Sequence, residues 1–356
     1  MKKMIAMLLT LTVVLGLLAG CAPTQVHVCP SEEAAEPAAP AESTVPAEPK
    51  EGAVKTGLAV MAKVSDSVSA TAEEAGAAKY DVTLAAVTVD DNGVIVSCII
   101  DSVKSEIAFG TDGVITTDLT AAPATKNELG EAYGMKAYAG SKYEWNEQAQ
   151  ALADYAVGKT VEELKNGAIK EDGKAKDADL ASVATIYLGG YVSAIEKAVA
   201  NAQHLGAQAG DKLVLTTLNS LGSSANAEAE KAGNAQLDVN IAVVTMNGDV
   251  ITSAILDALQ AKVAFDAAGA VTSDVAAAPM TKNELGENYG MKAYAGSAYE
   301  WNEQAAAFAQ YITGKTASEV AGIAVTEDTK VTDADLASTV TISVGGFQGL
   351  IAKAAQ

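Results

Sequence analysis

The densest gathering of side chains that could do chemistry falls in two stretches, and the two are almost the same. Thr125 to Ala149 reads TKNELGEAYGMKAYAGSKYEWNEQA and Thr281 to Ala305 reads TKNELGENYGMKAYAGSAYEWNEQA, with differences only at Ala132/Asn288 and Lys142/Ala298. Each copy offers a threonine hydroxyl, lysines, paired carboxylates, three tyrosines and a tryptophan. The carboxylate pairs Glu128/Glu131 and Glu144/Glu147 have the spacing for acid–base work, but on a helix that spacing usually marks a solvated face. Thr125 with Glu128 and Thr281 with Glu284 have the form of capping boxes, in which the threonine does no more than start a helix. The aromatic distribution argues for a further role. Both tryptophans and six of the eleven tyrosines lie inside the two copies, in a chain that is only 5% aromatic. Clustered Tyr and Trp beside a helix start and lysines (Lys126, Lys136, Lys282 and Lys292) suit a flat, phosphorylated ligand, which needs ring faces to stack on and positive charge for its phosphate.

Composition removes other chemistries. All 24 basic residues are lysines and the formal net charge is −21, so no basic, arginine-bearing face exists for nucleic acid. The two histidines, His27 and His204, and the three cysteines, Cys21, Cys29 and Cys98, all lie outside the repeated stretch. Histidine-ligated haem, iron–sulfur clusters, zinc sites and Ser-His-Asp or Cys-His nucleophilic sites therefore have no matching residue set, and neither a catalytic constellation nor a metal site is expected. Cys98 aligns with Ala254 on an apolar run and reads as a buried structural thiol.

The elements that must position the repeated stretch recur with it. The offset, 281 − 125 = 156, extends with weaker identity from about Val94/Val250 to Ala200/Gln356, which makes the chain a tandem duplication of whole domains. The expected boundaries are 53–205 and 206–356, each domain with its own core. Each is expected to open with a helix, Val54 to about Ala75 and Leu213 to about Lys231. Period-2 strands follow, Tyr80 to Val89, Val94 to Asp101 and Glu106 to Phe109, with Leu237 to Met246, Val250 to Asp257 and Lys262 to Phe265 in the second copy. Asp91-Asn92-Gly93 and Asn247-Gly248 supply the residues that tight hairpins need. Pro123 and Pro279 stiffen the loops that enter the two threonines. Ser141 with Glu144 and Ser297 with Glu300 predict capped helices bearing Trp145, Ala149, Leu152 and Ala156, and Trp301, Ala305, Phe308 and Ile312, on one apolar face, with Gly158 and Gly314 ending them. Thr160 with Glu163 and Thr316 with Glu319 cap shorter helices. The segments 180–187 and 336–344 are compatible with strand or helix, and a last helix follows each double glycine. The fold class is α+β: two homologous tandem domains, each an antiparallel, hairpin-rich sheet with packed helices.

Ahead of the domains, residues 1–20 have the lysines, short apolar run and small-residue end of a secretory leader. Residues 21–52 are rich in Pro, Ala and Glu, a composition that forms a solvated tether reaching on the order of 90 Å when extended. The end of the leader, Leu18-Ala19-Gly20-Cys21, resembles a bacterial lipobox, which implies acylation of Cys21 and a position on the outer face of the cytoplasmic membrane.

A lipobox leader, a Pro/Glu tether and tandem domains carrying A-P-x-T-K-N-E-L-G-x-x-Y-G-M-K and E-W-x-E-Q together resemble the PplA-like flavinylated lipoproteins of flavin-based extracellular electron transfer. The resemblance covers nearly the whole chain after the leader. It implies two FMN-binding domains, each carrying one FMN joined through its phosphate to a threonine by a flavin transferase. The attachment residues so implied are Thr125 and Thr281, with Lys126 and Lys282 beside them. Tyr133, Tyr138 and Trp145, with Tyr289, Tyr294 and Trp301, would form the aromatic walls. The wider family has an aspartate three residues before a (Ser/Thr)-Gly-Ala-(Thr/Ser) run; here Asp118 and Asp274 stand seven residues before the threonine, and the Gly-Ala-Thr run is replaced. Thr120 aligns with Ala276, so Thr125/Thr281 is the threonine pair present in both copies. The implied role is a lipid-anchored carrier, more an electron-transfer flavoprotein than an enzyme with its own substrate. It would relay electrons from a membrane quinone-linked donor to extracellular acceptors such as ferric complexes or soluble flavins. The rival expectation is a surface lipoprotein, without redox chemistry, whose repeated stretch binds a peptide or cell-wall fragment.

Overall fold

The computed structural model describes residues 52–356; the leader, Cys21 and all but the last residue of the tether lie outside the described residues. Each half is a three-stranded antiparallel meander followed by helices. The first half runs β1 (Lys55–Lys63), β2 (Gly76–Val89) and β3 (Ile95–Phe109), then α1 (Lys126–Leu129), a 3-10 turn (Gly130–Tyr133), α2 (Met135–Ala139), α3 (Trp145–Ala156), α4 (Val161–Ala168), α5 (Ala178–Val183) and α6 (Gly189–Ala200). The second repeats it as β4 (Lys212–Ser220), β5 (Gly233–Asn247), β6 (Val250–Phe265), α7 (Lys282–Leu285), a 3-10 turn (Gly286–Tyr289), α8 (Met291–Ala295), α9 (Trp301–Ile312), α10 (Ala317–Ala321), α11 (Ala334–Ala337) and α12 (Gly345–Ala354). The sheet orders are β1-β2-β3 and β4-β5-β6.

The two opening segments expected as helices are edge strands. β1 pairs along its whole length with β2, from Lys55↔Val89 to Lys63↔Asp81, and β4 does the same with β5 from Lys212↔Met246 to Ser220↔Asp238. Their Val, Thr and Leu content suits a strand, and Gly57 has a further reason for being there. A Cβ on it would stand 2.1 Å from the Ala198 carbonyl of α6, so the helix packs closely over the strand only because glycine lies beneath it. The short piece expected at Glu106 to Phe109 is the continuous end of β3. The segments left as strand or helix begin with α5 and α11 and then run as irregular chain into α6 and α12.

Each sheet is apolar on both faces, where a one-sided antiparallel sheet would alternate between core and water. In β2, Val82, Leu84 and Ala86 join a core with Ile241, Val243 and Val263 of the other half, while Ala85, Val87 and Val89 meet Trp145, Leu152 and Ile195 of their own helices. Likewise Ala242, Val244 and Met246 of β5 meet Trp301, Phe308 and Leu350. The expectation of one core per domain is therefore replaced by two private cores and one shared core between the sheets. Phe109 and Phe265, equivalent under the 156-residue offset, stack at its centre with ring centroids 4.1 Å apart and planes 6° from parallel.

The contacts around the shared core occur in equivalent pairs, as in a closed two-fold assembly. The Ala70 N–H donates to Gly269 O at 2.8 Å and the Ala227 N–H to Gly113 O at 2.9 Å. Val271 N–H donates to Ser69 Oγ and Ile115 N–H to Asn226 Oδ1, both at 2.9 Å. Lys197 of α6 pairs with Glu284 of the second half, and Lys353 of α12 with Glu128 of the first. Cys98 is buried in the first private core, and burial pushes its thiol up to about 12, in keeping with a structural thiol.

Because the two sheets share one core, Phe109→Ala is expected to destabilise both halves together, by about 3–5 kcal/mol. Denaturant unfolding followed separately through Trp145 and Trp301, in the two single-tryptophan backgrounds, should show one common lowered midpoint; an unmoved Trp301 transition would mean that the halves unfold independently.

Candidate functional site

The repeated stretch begins where the chain leaves the interface loop and turns along β3. Thr125 is extended (φ −71°, ψ 164°) and closes a capping box: Glu128 N–H donates to Thr125 Oγ1 at 3.2 Å, and Thr125 N–H donates to Glu128 Oε2 at 2.8 Å. The same geometry recurs at Thr281 and Glu284, at 3.2 and 2.9 Å. Each threonine is 1% exposed and lies beside a buried carboxylate, Thr125 by Asp101 and Thr281 by Asp257, whose charged form its hydroxyl favours. Those aspartates also accept backbone N–H groups, Asp101 from Ser102 at 2.7 Å and Asn127 at 3.1 Å, and Asp257 from Ala258 at 2.7 Å and Asn283 at 3.1 Å. Burial raises both carboxyls, against the pull of the threonine hydroxyls and the N–H donors, and pushes Asp257 up to about 6. The other carboxylate oxygen of each box reaches across the interface: Glu128 to Lys353 and Glu284 to Lys197.

The lysine after each threonine points to the opposite side of the stretch. Lys126 is 6% exposed, with Nζ 5.2 Å from the Tyr133 ring centroid and 4.9 Å from that of Trp145; Lys282 stands 4.8 and 4.9 Å from Tyr289 and Trp301. A cation at these distances is attracted to the ring faces, which offsets part of its desolvation. Burial holds Lys126 below the usual lysine range; Asp81 and Asp101 pull it back up, while Lys104 lowers it further. Trp145 is buried with its edge toward Tyr191, its Nε1–H donating to the Tyr191 hydroxyl at 3.1 Å. In the second half Phe347 takes that place against Trp301.

The next helix is fixed differently from expectation. α3 starts where the sequence placed it, but its box is Glu144 with Glu147, whose carboxylate accepts the Glu144 N–H at 2.7 Å. Ser141 instead ties Tyr143 O and Gln148. The Glu144 carboxylate is buried and accepts Met135 N–H at 2.7 Å and Lys136 N–H at 3.0 Å, while Glu147 pairs with Lys136 at 2.7 Å. These acids are committed to structure. Gln148, fully buried, joins the stretch to the segment facing it. Its Nε2 donates to Ser141 Oγ and Tyr143 O at 3.2 and 3.0 Å, and its Oε1 accepts Thr185 N–H and Ile186 N–H at 2.7 and 3.1 Å. Gln304 repeats every one of these bonds toward Thr341 and Ile342.

Between these walls lies a cavity of about 940 Å³ in the first half, lined by Lys126, Tyr133, Tyr138 and Trp145 together with Asp81, Tyr187 and Tyr191. Its counterpart of about 660 Å³ is lined by Lys282, Tyr289, Tyr294 and Trp301 with Asn240, Lys330 and Phe347. Both are within the size range of small-molecule sites. At the mouths, Tyr138 and Tyr294 are 89% and 90% exposed, unusual for tyrosine, each ring folded back over a glycine, Gly134 or Gly290.

The structure thus gathers four of the six expected site residues in each half. The remaining two stand apart: Thr125 and Thr281 do not line these cavities, and Thr281 borders instead a groove of about 990 Å³ between the halves, with Asp257 and Asn302. Asp118 and Asp274 close turns of the exposed loop, accepting Thr120 N–H at 2.9 Å and Ala276 N–H at 3.0 Å. Sequence reasoning missed Asp101/Asp257, Gln148/Gln304 and Tyr187. The aspartates carried a signal, as the single acids at equivalent places in two apolar runs, VIVSCIID and VITSAILD. Comparison of the chain with protein-family models, curated proteins and solved structures returns no match.

Two outcomes test this geometry. Gln148→Leu removes the acceptor of two part-buried N–H groups and is expected to cost about 1–3 kcal/mol and to loosen the cavity wall, read as lost protection of the Thr185 and Ile186 amides from hydrogen exchange. For Asp257 the folded value lies above the unfolded one, so the native state holds the extra proton; its contribution is fully present below about pH 4 and is lost as pH rises through about 6, on the order of 2–3 kcal/mol. Asp257→Asn should flatten that part of the stability–pH profile, and an unchanged profile would place the titration elsewhere.

Proposed function

We propose that each half of the chain holds one FMN, its flavin ring in the cavity beside Lys126 or Lys282 and its phosphate esterified to Thr125 or Thr281, and that the protein serves as an electron carrier. The observation that supports this most is the duplicated cavity in which a lysine, buried at Lys126 and half-buried at Lys282, lies against two aromatic rings with a third ring exposed at the mouth. A planar, electron-accepting ring finds faces to stack on there, and a cation to balance the charge it gains. When bound, the flavin supplies one- and two-electron redox chemistry, and the chain's part is to seat it, orient it and set its electrostatic surroundings.

The residues fit the ring more directly than they fit the ester. In the closed arrangement each threonine is 1% exposed, and its hydroxyl accepts from the glutamate N–H and lies beside a buried aspartate. Attachment therefore calls for an open state, in which a flavin transferase meets the threonine before its cap closes. Asp101 or Asp257, beside the hydroxyl, would accept its proton in such a state, as the threonine oxygen displaces the leaving phosphate group of an FMN-bearing phosphoanhydride that the transferase brings. The remaining partners, a quinone-linked donor in the membrane, ferric complexes or soluble flavins outside it, and the bilayer reached through Cys21, belong to the same proposal and rest on the leader and tether.

Chain produced with a flavin transferase should show a denatured mass increased by two FMN, with the modified peptides containing Thr125 and Thr281. Thr125→Ala should remove one flavin and, by losing the cap, about 1 kcal/mol of stability, whereas Thr125→Ser should keep the cap. Full flavin content in the double alanine variant would overturn the attachment, and a colourless chain would favour the rival ligand-binding lipoprotein.

A further inference from the structure

The two cavities differ at Tyr191/Phe347 in their walls and, toward their mouths, at one coupled pair of positions. In the first half the turn Lys170–Lys174 has Gly173 at φ +73°, and the Tyr187 ring lies directly on it; a Cβ at Gly173 would stand 2.1 Å from that ring. Tyr187 remains 58% exposed and lines the cavity mouth together with Tyr138. In the second half, the residues at the same places under the 156-residue offset are Thr329 and Ser343. Thr329 keeps the turn's left-handed geometry, φ +56°, and is the one non-glycine residue with positive φ among the described residues. A β-branched residue there is a genuine outlier, so the turn is strained. Its hydroxyl bonds to Ser343 in the space that Tyr187 fills in the first half. The substitutions depend on each other: the ring requires glycine beneath it, and threonine leaves room only for a small partner.

We infer that the two sites hold their rings differently: Tyr138 and Tyr187 form a two-walled clamp at the first cavity, whereas Tyr294 is the single wall at the mouth of the second. The inference rests on the flavin reading above and assigns the distinction between its two sites to Tyr187 and Gly173. Tyr187 is well placed to act as a wall. Gln148 fixes the backbone of the residue before it through Ile186 N–H, and Leu188 N–H donates to Gly173 O at 2.8 Å, so the ring is held from both sides in sequence. Ile342 and Val344 are tied in the same way in the second half, to Gln304 and to Thr329 O. The backbone ties on either side of this position are equal in the two halves, and the side chain between them differs. A ring in the first cavity would therefore be covered by Tyr187 on a side where a ring in the second has only the small Ser343 beside it.

The test uses the full chain loaded by a flavin transferase, with flavin fluorescence lifetimes and quenching by iodide as readouts. Two populations are expected, one strongly quenched by neighbouring tyrosine and shielded from iodide, the other brighter and more accessible. Tyr187→Ser should convert the shielded population to the accessible one, and Tyr187→Phe should leave it shielded. Thr329→Gly with Ser343→Tyr should shield the second site. From the strength of aromatic pairs, each wall should change the accessible fraction's equilibrium by roughly 2- to 10-fold. Two bound flavins with indistinguishable lifetimes and iodide access, unmoved by Tyr187→Ser, would overturn this inference and leave the carrier reading standing; a chain that takes up no flavin would overturn both.

Discussion

A three-stranded sheet that is apolar on both faces needs two partners, and each half of this chain supplies only one. Helices such as α3, α6, α9 and α12 cover the outer faces; the inner faces, with Leu84, Ile107 and Phe109 on one side and Ile241, Val263 and Phe265 on the other, have only each other. Burying an apolar side chain of that size contributes about 1.5–3 kcal/mol, so the uncovered face would dominate the energetics of a lone half. Other features of the interface follow from this constraint. The loops that cross it exchange backbone hydrogen bonds in equivalent pairs, and the lysines of the last helices reach the opposite half.

The near-identity of the two repeated stretches has a physical account in these terms, because each stretch works on two sides. Thr125, Asn127 and Glu128 face the strand and the interface, where they satisfy Asp101, the Ile100 carbonyl and Lys353. Lys126, Tyr133, Tyr138 and Trp145 face the cavity. Glu144 and Gln148 hold the segment between, with buried acceptors and donors that leave little freedom for substitution. The flanking strands answer only to burial and exchange one apolar residue for another. Positions that differ in and around the cavities, Gly173/Thr329, Tyr187/Ser343 and Tyr191/Phe347 among them, lie outside the stretch.

The sequence showed the duplication, the meander and its turns, the helix carrying Trp145, and the collection of Lys126 with its aromatic neighbours, because periodicity, turn chemistry and residue clustering are local signals. It misplaced the opening strands. KTGLAVMAK and KLVLTTLNS are short apolar runs whose pairing with β2 and β5 is a long-range contact, and helical spacing can be read into them equally well. The shared core was hidden for a related reason: the run VTLAAVTV is apolar on both faces, and only the packed structure says that its second face belongs to another sheet. Asp101 stood out only as a lone acid in an apolar run, its partners being set by tertiary surroundings, and the exposure of Tyr187 has no local pattern. The threonines were correctly read as caps, whereas their 1% exposure is a tertiary property with no local signal.

The exchanged Glu128–Lys353 and Lys197–Glu284 pairs also bear on the order of events during synthesis. Lys353 is made 225 residues after Glu128 and lies in the last helix, so the first half emerges with its cap unbridged and its inner sheet face bare. At about 5–20 residues per second, that state lasts roughly 10 to 45 s before the partner helix exists. Thr125 therefore passes through a long interval with one fewer restraint, while Thr281 is made after Lys197 and has its bridging lysine from the start. The same chemistry written twice along the chain thus has two different histories, set by nothing more than which copy is made first.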